Sequence, residues 1–336
     1  MKETIAVLGA GSWGTTLANL LAKKGHPVRI WAYEADVAAA INERHENLTY
    51  LRGVRLDPRL TADTSVQAVV SGADVVLSVT PSQHVRRIMA EAAPWIGPEA
   101  LVVSASKGIE TTSLKTMAEV LAEVLPGAVS APACFLSGPS FALEVAREQP
   151  TAVAVASRSR EAALRAQQLF QTDYFRVYTN ADVTGVELGG ALKNVIALAA
   201  GMAVGLELGH NALAALITRG LAEITRLGVT LGANPLTFAG LAGMGDLILT
   251  CTGELSRNRK VGIEIGRGRK LAEILEGMKT VAEGVETTRA AHALAGRHGV
   301  EMPIVAQVYA VLFEGADPRA AVENLMLREP KAELWR

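Results

Sequence analysis

The sequence predicts an α/β fold: an N-terminal Rossmann-like, doubly wound parallel sheet followed by an all-α C-terminal domain. Three observations carry this expectation. The first half alternates short continuous apolar runs with helical stretches, the pattern of buried parallel strands joined by crossover helices. A glycine pattern, Gly9-Ala10-Gly11-Ser12-Trp13-Gly14, stands between the first such run and the first helical stretch. After Asn180 the strand signals nearly vanish and long Ala/Leu/Gly-rich helical stretches take over. A chain of 336 residues is about twice a typical domain, so two domains are expected, residues 1–180 and 181–336.

Each element has its own justification. Residues 4–8, which contain the apolar stretch 5–8, are a strand candidate. Residues 13–24 read as a helix, which Gly25-His26-Pro27 ends. Residues 28–32 are the next strand and 35–43 the next helix. The run 75–79 is stopped by Thr80-Pro81, and further strands are expected at 101–104, 134–136 and 152–156. In the second half, helices are expected at 183–206, 211–227, 259–265, 271–275 and 284–296. A cleft between two such domains is the usual place for an active site.

Composition excludes several functions. Lys plus Arg is 33 and Asp plus Glu is 34, so the chain lacks the basic surplus that binding nucleic acid by bulk electrostatics requires. Cys134 and Cys251 are the two cysteines, too few for a disulfide framework or a four-cysteine metal site. The six histidines show no H-x-x-x-H or H-E-x-x-H spacing, and no metal site is expected. No export signal is visible, and the longest apolar run, 195–206, is shorter than the roughly 18 residues of a membrane span. A cytoplasmic location with no membrane span is the resulting expectation.

The glycine pattern suits a dinucleotide. Gly9 permits a tight turn, Gly11 lets the backbone approach a pyrophosphate, and Gly14 lets the helix pack on the strand. The helix N-terminus then offers N–H groups to the diphosphate. Cofactor choice turns on the residue near the end of the second strand. Glu34 there either accepts from an adenosine ribose 2′-hydroxyl or is a solvated loop residue. Arg29 and Arg44 are not obvious phosphate clamps. The sequence leaves NAD or NADP open.

A dinucleotide that carries hydride to a carbonyl, one chemistry open to such a site, calls for a group that stabilises the developing alkoxide and delivers a proton. Lys193 is the strongest candidate, because it stands in a helical run that is apolar on nearly every face. Its side chain leans back over Gly189 and Gly190, where missing side chains leave expected room for a small substrate. The plainer reading is a lysine that snorkels to the surface or pairs with Glu187. Lys107 follows the strand at 101–104, at the carboxyl end where open sheets present ligands; otherwise it is an exposed loop lysine. Ser256-Arg257-Asn258 opens a helix and either holds a phosphate monoester or simply caps that helix. Asp246 either orients Lys193, accepts a substrate hydroxyl, or caps a helix.

With Lys107, the segment Leu136-Ser137-Gly138-Pro139-Ser140-Phe141-Ala142, the segment Gly189-Gly190-Ala191-Leu192-Lys193-Asn194, and Ser256-Arg257-Asn258 in order, the chain resembles the bacterial-type NAD(P)-dependent glycerol-3-phosphate dehydrogenases. The resemblance runs from the glycine pattern to at least Glu283. It implies reversible reduction of dihydroxyacetone phosphate to sn-glycerol 3-phosphate, feeding phospholipid synthesis, in a homodimer. It implies that Lys193 is the proton donor and acceptor. Lys107, Gly138, Ser140, Asp246, Ser256, Arg257 and Asn258 are implied substrate residues. Gly9, Gly11, Ser12, Trp13, Gly14, Tyr33, Lys107, Ala142, Arg257, Val281 and Glu283 are implied cofactor residues. Tyr33 departs from the family pattern, which has Arg there to help hold a 2′-phosphate. Two other readings compete: a dehydrogenase of the same plan acting on a β-hydroxy acid or sugar-acid phosphate, and a non-catalytic dinucleotide-binding sensor.

Overall fold

The computed structural model describes residues 2–278, 282–330, 332 and 333. Ten strands are found among them. β1 (Ile5–Leu8), β2 (Val28–Trp31), β5 (Leu60–Asp63), β6 (Val75–Ser78), β7 (Leu101–Ser104), β8 (Cys134–Ser137), β9 (Thr151–Ala156) and β10 (Phe175–Asn180) form one sheet, with β3 (Glu46–Asn47) and β4 (Leu51–Arg55) as a separate hairpin. The sheet order is β10-β9-β8-β7-β6-β1-β2-β5.

The apolar runs become strands because both faces are covered. Ile5, Val7, Val75, Leu77, Leu101 and Val103 point into one buried cluster. Their alternates Ala6, Leu8, Val76 and Val102 point into another on the opposite face. The pairing is parallel throughout, with one exception: β8 and β9 are antiparallel, so β9 and β10 run against the rest. The sheet is thus mostly parallel, as expected, with two reversed strands at one edge.

Order in the sheet reverses at β1. The chain moves outward through β2 and β5, then returns to place β6 on the other side of β1. The crevice this creates outside the carboxyl ends of β1 and β6 is where open α/β sheets bind ligands.

The strands end at Asn180, and among the described residues everything that follows is helical or loop. The helix Val183–Gly205 is the axis of this half and is almost entirely buried. Its 23 residues match the length of a membrane span, but its surface is packed inside the protein. Around it lie the helices Gly209–Thr230, Asp246–Thr252, Arg257–Gly266 and Glu283–His298. The 257–266 helix crosses it through glycines. A Cβ on Gly201 would stand 2.9 Å from the Cα of Gly262, and one on Gly205 would stand 3.0 Å from the Cα of Gly266. The 183–205 helix also touches β8 and β9, which brings its N-terminal half to the carboxyl end of the sheet.

Candidate active site

At the turn after β1, the three glycines have different surroundings. Gly9 has φ +120°, and a Cβ there would lie 2.8 Å from the Val79 carbonyl oxygen in the loop after β6. Gly14 packs against the Gly9 carbonyl. A Cβ on Gly11 would meet nothing within 4 Å, so this glycine faces open space. Gly11 is also the N-cap of the helix Ser12–Lys23, with no side-chain cap. First-turn N–H groups therefore point uncapped at the open side of the turn, a cradle suited to a diphosphate. These residues fit the dinucleotide that the sequence suggested.

The neighbours implied for a cofactor are distributed unevenly. Ser12 Oγ donates to the Tyr50 carbonyl at 2.5 Å. The Trp13 ring packs into the core, 6.4 Å from the Phe175 ring centroid, so its side chain serves packing; its Nε1 is buried without a partner among the described residues. Tyr33 is exposed beyond the end of β2. Ala142 opens the short helix Ala142–Ala146, and its carbonyl accepts from Thr16 Oγ1 at 3.1 Å. Val281 lies outside the described residues. Glu283 begins the helix Glu283–His298. Burial pushes the Glu283 carboxyl up, against the pull of Arg257, Lys107, Lys193 and the Ser82 N–H.

The catalytic candidates come together around Asp246. Lys193 is buried, and its Nζ donates to Asp246 Oδ1 and, at 2.9 Å, to Thr250 Oγ1. Lys107 Nζ donates to the other carboxylate oxygen, Asp246 Oδ2, at 2.7 Å, and to the Gly138 carbonyl at 3.1 Å. One carboxylate therefore bridges a lysine from the loop after β7 and a lysine from the 183–205 helix. Asp246 is the first residue of the helix Asp246–Thr252, and its side chain is spent on the lysines rather than on capping.

Burial lowers the Lys193 ammonium to about 8; Asp246 opposes that shift and the Lys107 charge adds to it. Burial pushes the Asp246 carboxyl up, but the two ammoniums overcome it and hold the group below its ordinary value. Glu187 is not the partner of Lys193. It accepts from the Ala118 N–H at 2.9 Å, at the start of the helix Met117–Val124.

One expectation is corrected here. Gly189 and Gly190 do not leave room for a substrate. A Cβ on Gly189 would lie 2.5 Å from the Ala242 carbonyl oxygen, and one on Gly190 would lie 2.5 Å from Ser137 Oγ. The missing side chains let the 183–205 helix press directly on the backbone of 242–243 and on the end of β8. They position Lys193 by close approach.

Around the turn after β8, Gly138 has φ +146° and its carbonyl also accepts from Ser140 Oγ at 3.0 Å. Ser256 caps the 257–266 helix by accepting from the Arg259 N–H at 3.2 Å, which leaves its own O–H to donate. Arg257 is exposed and has no ion pair among the described residues. Asn258 is buried. Its Nδ2 donates to Asn194 Oδ1 at 2.9 Å and its Oδ1 accepts from the Gly284 N–H at 3.0 Å, so it ties three helices together beside Lys193.

Sequence reasoning missed Thr250, Asn194 and Tyr50. Thr250 had a signal, since it lies four residues after Asp246 on one helical face. No His/Cys/Asp/Glu group suited to a metal is found among the described residues.

Comparison with known proteins shows the family of the chain. The family model for the NAD-dependent glycerol-3-phosphate dehydrogenase N-terminus matches residues 4–163, and that for the C-terminus matches residues 182–323. The glycerol-3-phosphate dehydrogenase (NAD(P)+) of Citrifermentans bemidjiense is 57% identical, with 99% of each chain covered. That of Myxococcus xanthus is 54% identical over 98% of each. The crystal structure of glycerol-3-phosphate dehydrogenase from Coxiella burnetii superposes with a TM-score of 0.93 at 41% identity, covering 97% of this chain and 99% of that one. Matched over both halves and nearly its whole length, the chain belongs to the NAD-dependent glycerol-3-phosphate dehydrogenase family.

Proposed function

We propose that the chain is an NAD(P)-dependent sn-glycerol-3-phosphate dehydrogenase that interconverts dihydroxyacetone phosphate and sn-glycerol 3-phosphate for glycerophospholipid synthesis. The observation that carries this reading is the buried Lys193–Asp246–Lys107 cluster at the carboxyl end of the sheet. Residues 1–180 act as the dinucleotide half and 181–336 as the substrate half. Bound at the glycine turn, the dinucleotide supplies or accepts the hydride.

The chain's own groups do the rest. In the reduction, Lys193 donates a proton from Nζ to the ketone oxygen as negative charge builds there. Asp246 and Thr250 fix the direction of Nζ, and Lys107 adds positive potential in a place water barely reaches. Arg257 supplies a guanidinium fork to the phosphate, with Ser256 and the start of the 257–266 helix beside it. Gly138, Ser140 and Asn258 line the substrate side; Ala142 and Glu283 line the cofactor side. In the oxidation, the neutral amine takes the hydroxyl proton back.

The enzyme works as a homodimer in the cytoplasm; its longest apolar helix is a core helix rather than a membrane span, a reading supported by the burial of that helix within the fold. A panel of phosphorylated and carboxylated ketones, followed by loss of reduced-nicotinamide absorbance, tests the assignment. Dihydroxyacetone phosphate is expected to turn over fastest. Preference for a β-keto acid, or cofactor binding without any turnover, would contradict it.

A further inference from the structure

Glu187 is an acid that the reaction scheme leaves unused, and it stands on the seam between the two halves. It lies on the 183–205 helix six residues before Lys193, about 9 Å away along the axis. Its Oε1 accepts from the Ala118 N–H at 2.9 Å, in the first turn of the helix Met117–Val124 of the sheet half. The Met117 N–H and the Thr116 side chain lie beside the same carboxyl. Its Oε2 is buried with no hydrogen-bond partner among the described residues. Burial pushes the carboxyl up to about 8, against Ala118, Thr116 and Met117, and Glu119 of the 117–124 helix adds to the rise. Keeping an acid in such a place is costly, and packing alone would be served by an apolar side chain.

The stretch that Glu187 holds is the one that presents Lys107. Residues 105–116 run from the end of β7 to the 117–124 helix. At the near end the Ala105 N–H donates to the Ser78 carbonyl at 2.8 Å; just past the far end Ala118 donates to Glu187. Between them Ile109 is fully buried in the apolar cluster of the helical half, with Leu192 and Val195. The Ile109 carbonyl accepts from Gln83 Nε2 at 2.8 Å, which ties it back to the loop after β6. Three residues after Glu187, Gly190 lies against the end of β8. The carriers of Lys107 and Lys193 are therefore fastened to each other at Glu187, and their ammoniums meet the two oxygens of Asp246.

We infer that Glu187 is a positioning residue for proton transfer: by accepting from the Ala118 N–H it fastens the helix of Lys193 to the loop of Lys107, and so sets the separation of the two ammoniums across Asp246. The inference rests on the reading of Lys193 as proton donor. Its effect reaches Lys193 through charge and water. Asp246, Lys107 and Glu283 are the charged groups around the Lys193 ammonium, with Thr250 and Cys251 of the 246–252 helix beside it. Asp246 stays with Lys193, because both belong to the helical half, whereas Lys107 belongs to the sheet half. Loosening the fastening withdraws Lys107 and admits water. Burial and the Lys107 charge both lower the Lys193 ammonium, so relaxing either raises it.

Variants of the full chain test it, with initial rates of dihydroxyacetone phosphate reduction measured against pH. Glu187→Met fills the same space without an acceptor. It is expected to lower kcat by about tenfold at unchanged cofactor affinity, and to move the fall in rate to higher pH by about half a pH unit or more. Glu187→Gln removes the titrating carboxyl but keeps a carbonyl for the Ala118 N–H. It is expected to hold kcat within about threefold and to leave the fall in place. Glu187→Asp keeps the carboxyl but shortens its reach; it is expected to move the fall as Glu187→Met does, and it decides the matter if the Met chain does not fold. A lower kcat with the fall in place, the mark of a merely structural role, overturns the inference. So does a Glu187→Gln chain as impaired as the others, or a Glu187→Asp chain that behaves as the unmodified one. Absence of turnover by the unmodified chain overturns the reading of the reaction instead.

Discussion

Lys193 holds a charge where charge is costly, and its partners explain why it persists. An ammonium buried at this depth would lose its proton without the Asp246 carboxylate beside it. Burial still leaves it at about 8, below the ordinary lysine range. The sign of the pH dependence follows. Below about 8 the ammonium is present and can donate, so ketone reduction is expected to be fast there and to fall as pH rises through about 8. Oxidation of the alcohol needs the free amine and is expected to rise through the same interval. Initial rates in both directions against pH check this; parallel profiles would contradict it. Asp246→Asn removes the one anion between two ammoniums. It is expected to move the Lys193 break to lower pH and to cost about 3–5 kcal/mol of stability, read by urea unfolding. A polar residue inside an apolar helical run was readable from the chain, which is why Lys193 stood out. Thr250 and Tyr50 did not, because their importance lies in partners supplied by distant segments.

At the level of elements, the glycines set the spacing on which the site depends. Gly201 and Gly205 meet Gly262 and Gly266 where the 183–205 and 257–266 helices cross, and this contact places Asn258 against Asn194. Gly201→Ala would drive a methyl into the Arg259 carbonyl and is expected to destabilise the fold by about 1–3 kcal/mol, seen as a lower urea midpoint. An unchanged midpoint would mean the helices separate freely. The same scale shows what the chain concealed. The central strands are continuous apolar runs and were visible. β5 and β10 were not, and they are the two edges of the sheet. Leu60–Asp63 and Phe175–Asn180 alternate buried with exposed residues, so polar side chains interrupt the apolar signal. The antiparallel β8–β9 pairing was equally hidden, since strand direction leaves no mark on a short buried run. Gly189 and Gly190 misled in a different way: absent side chains can mean open space or close backbone contact, and only the neighbours decide.

Across the whole molecule, the site exists only where the sheet half and the helical half meet. Lys107 comes from the loop after β7, while Lys193 and Asp246 come from helices. The 183–205 helix presses on β8 and β9 over the same seam. Unfolding is therefore expected to be cooperative. Trp13, Trp31 and Trp95 all lie in the sheet half, so fluorescence reports mainly on it, whereas far-UV circular dichroism is dominated by the helices. The two urea transitions are expected to coincide; separated midpoints would show that the seam does not couple the halves. The decisive measurement is made on the Lys193→Met chain: reduction of dihydroxyacetone phosphate at saturating reduced cofactor, with cofactor affinity titrated on the same sample. A turnover number lowered by at least about 100-fold with cofactor affinity unchanged is the expected result. Turnover near that of the unmodified chain would contradict the assignment of the proton to Lys193.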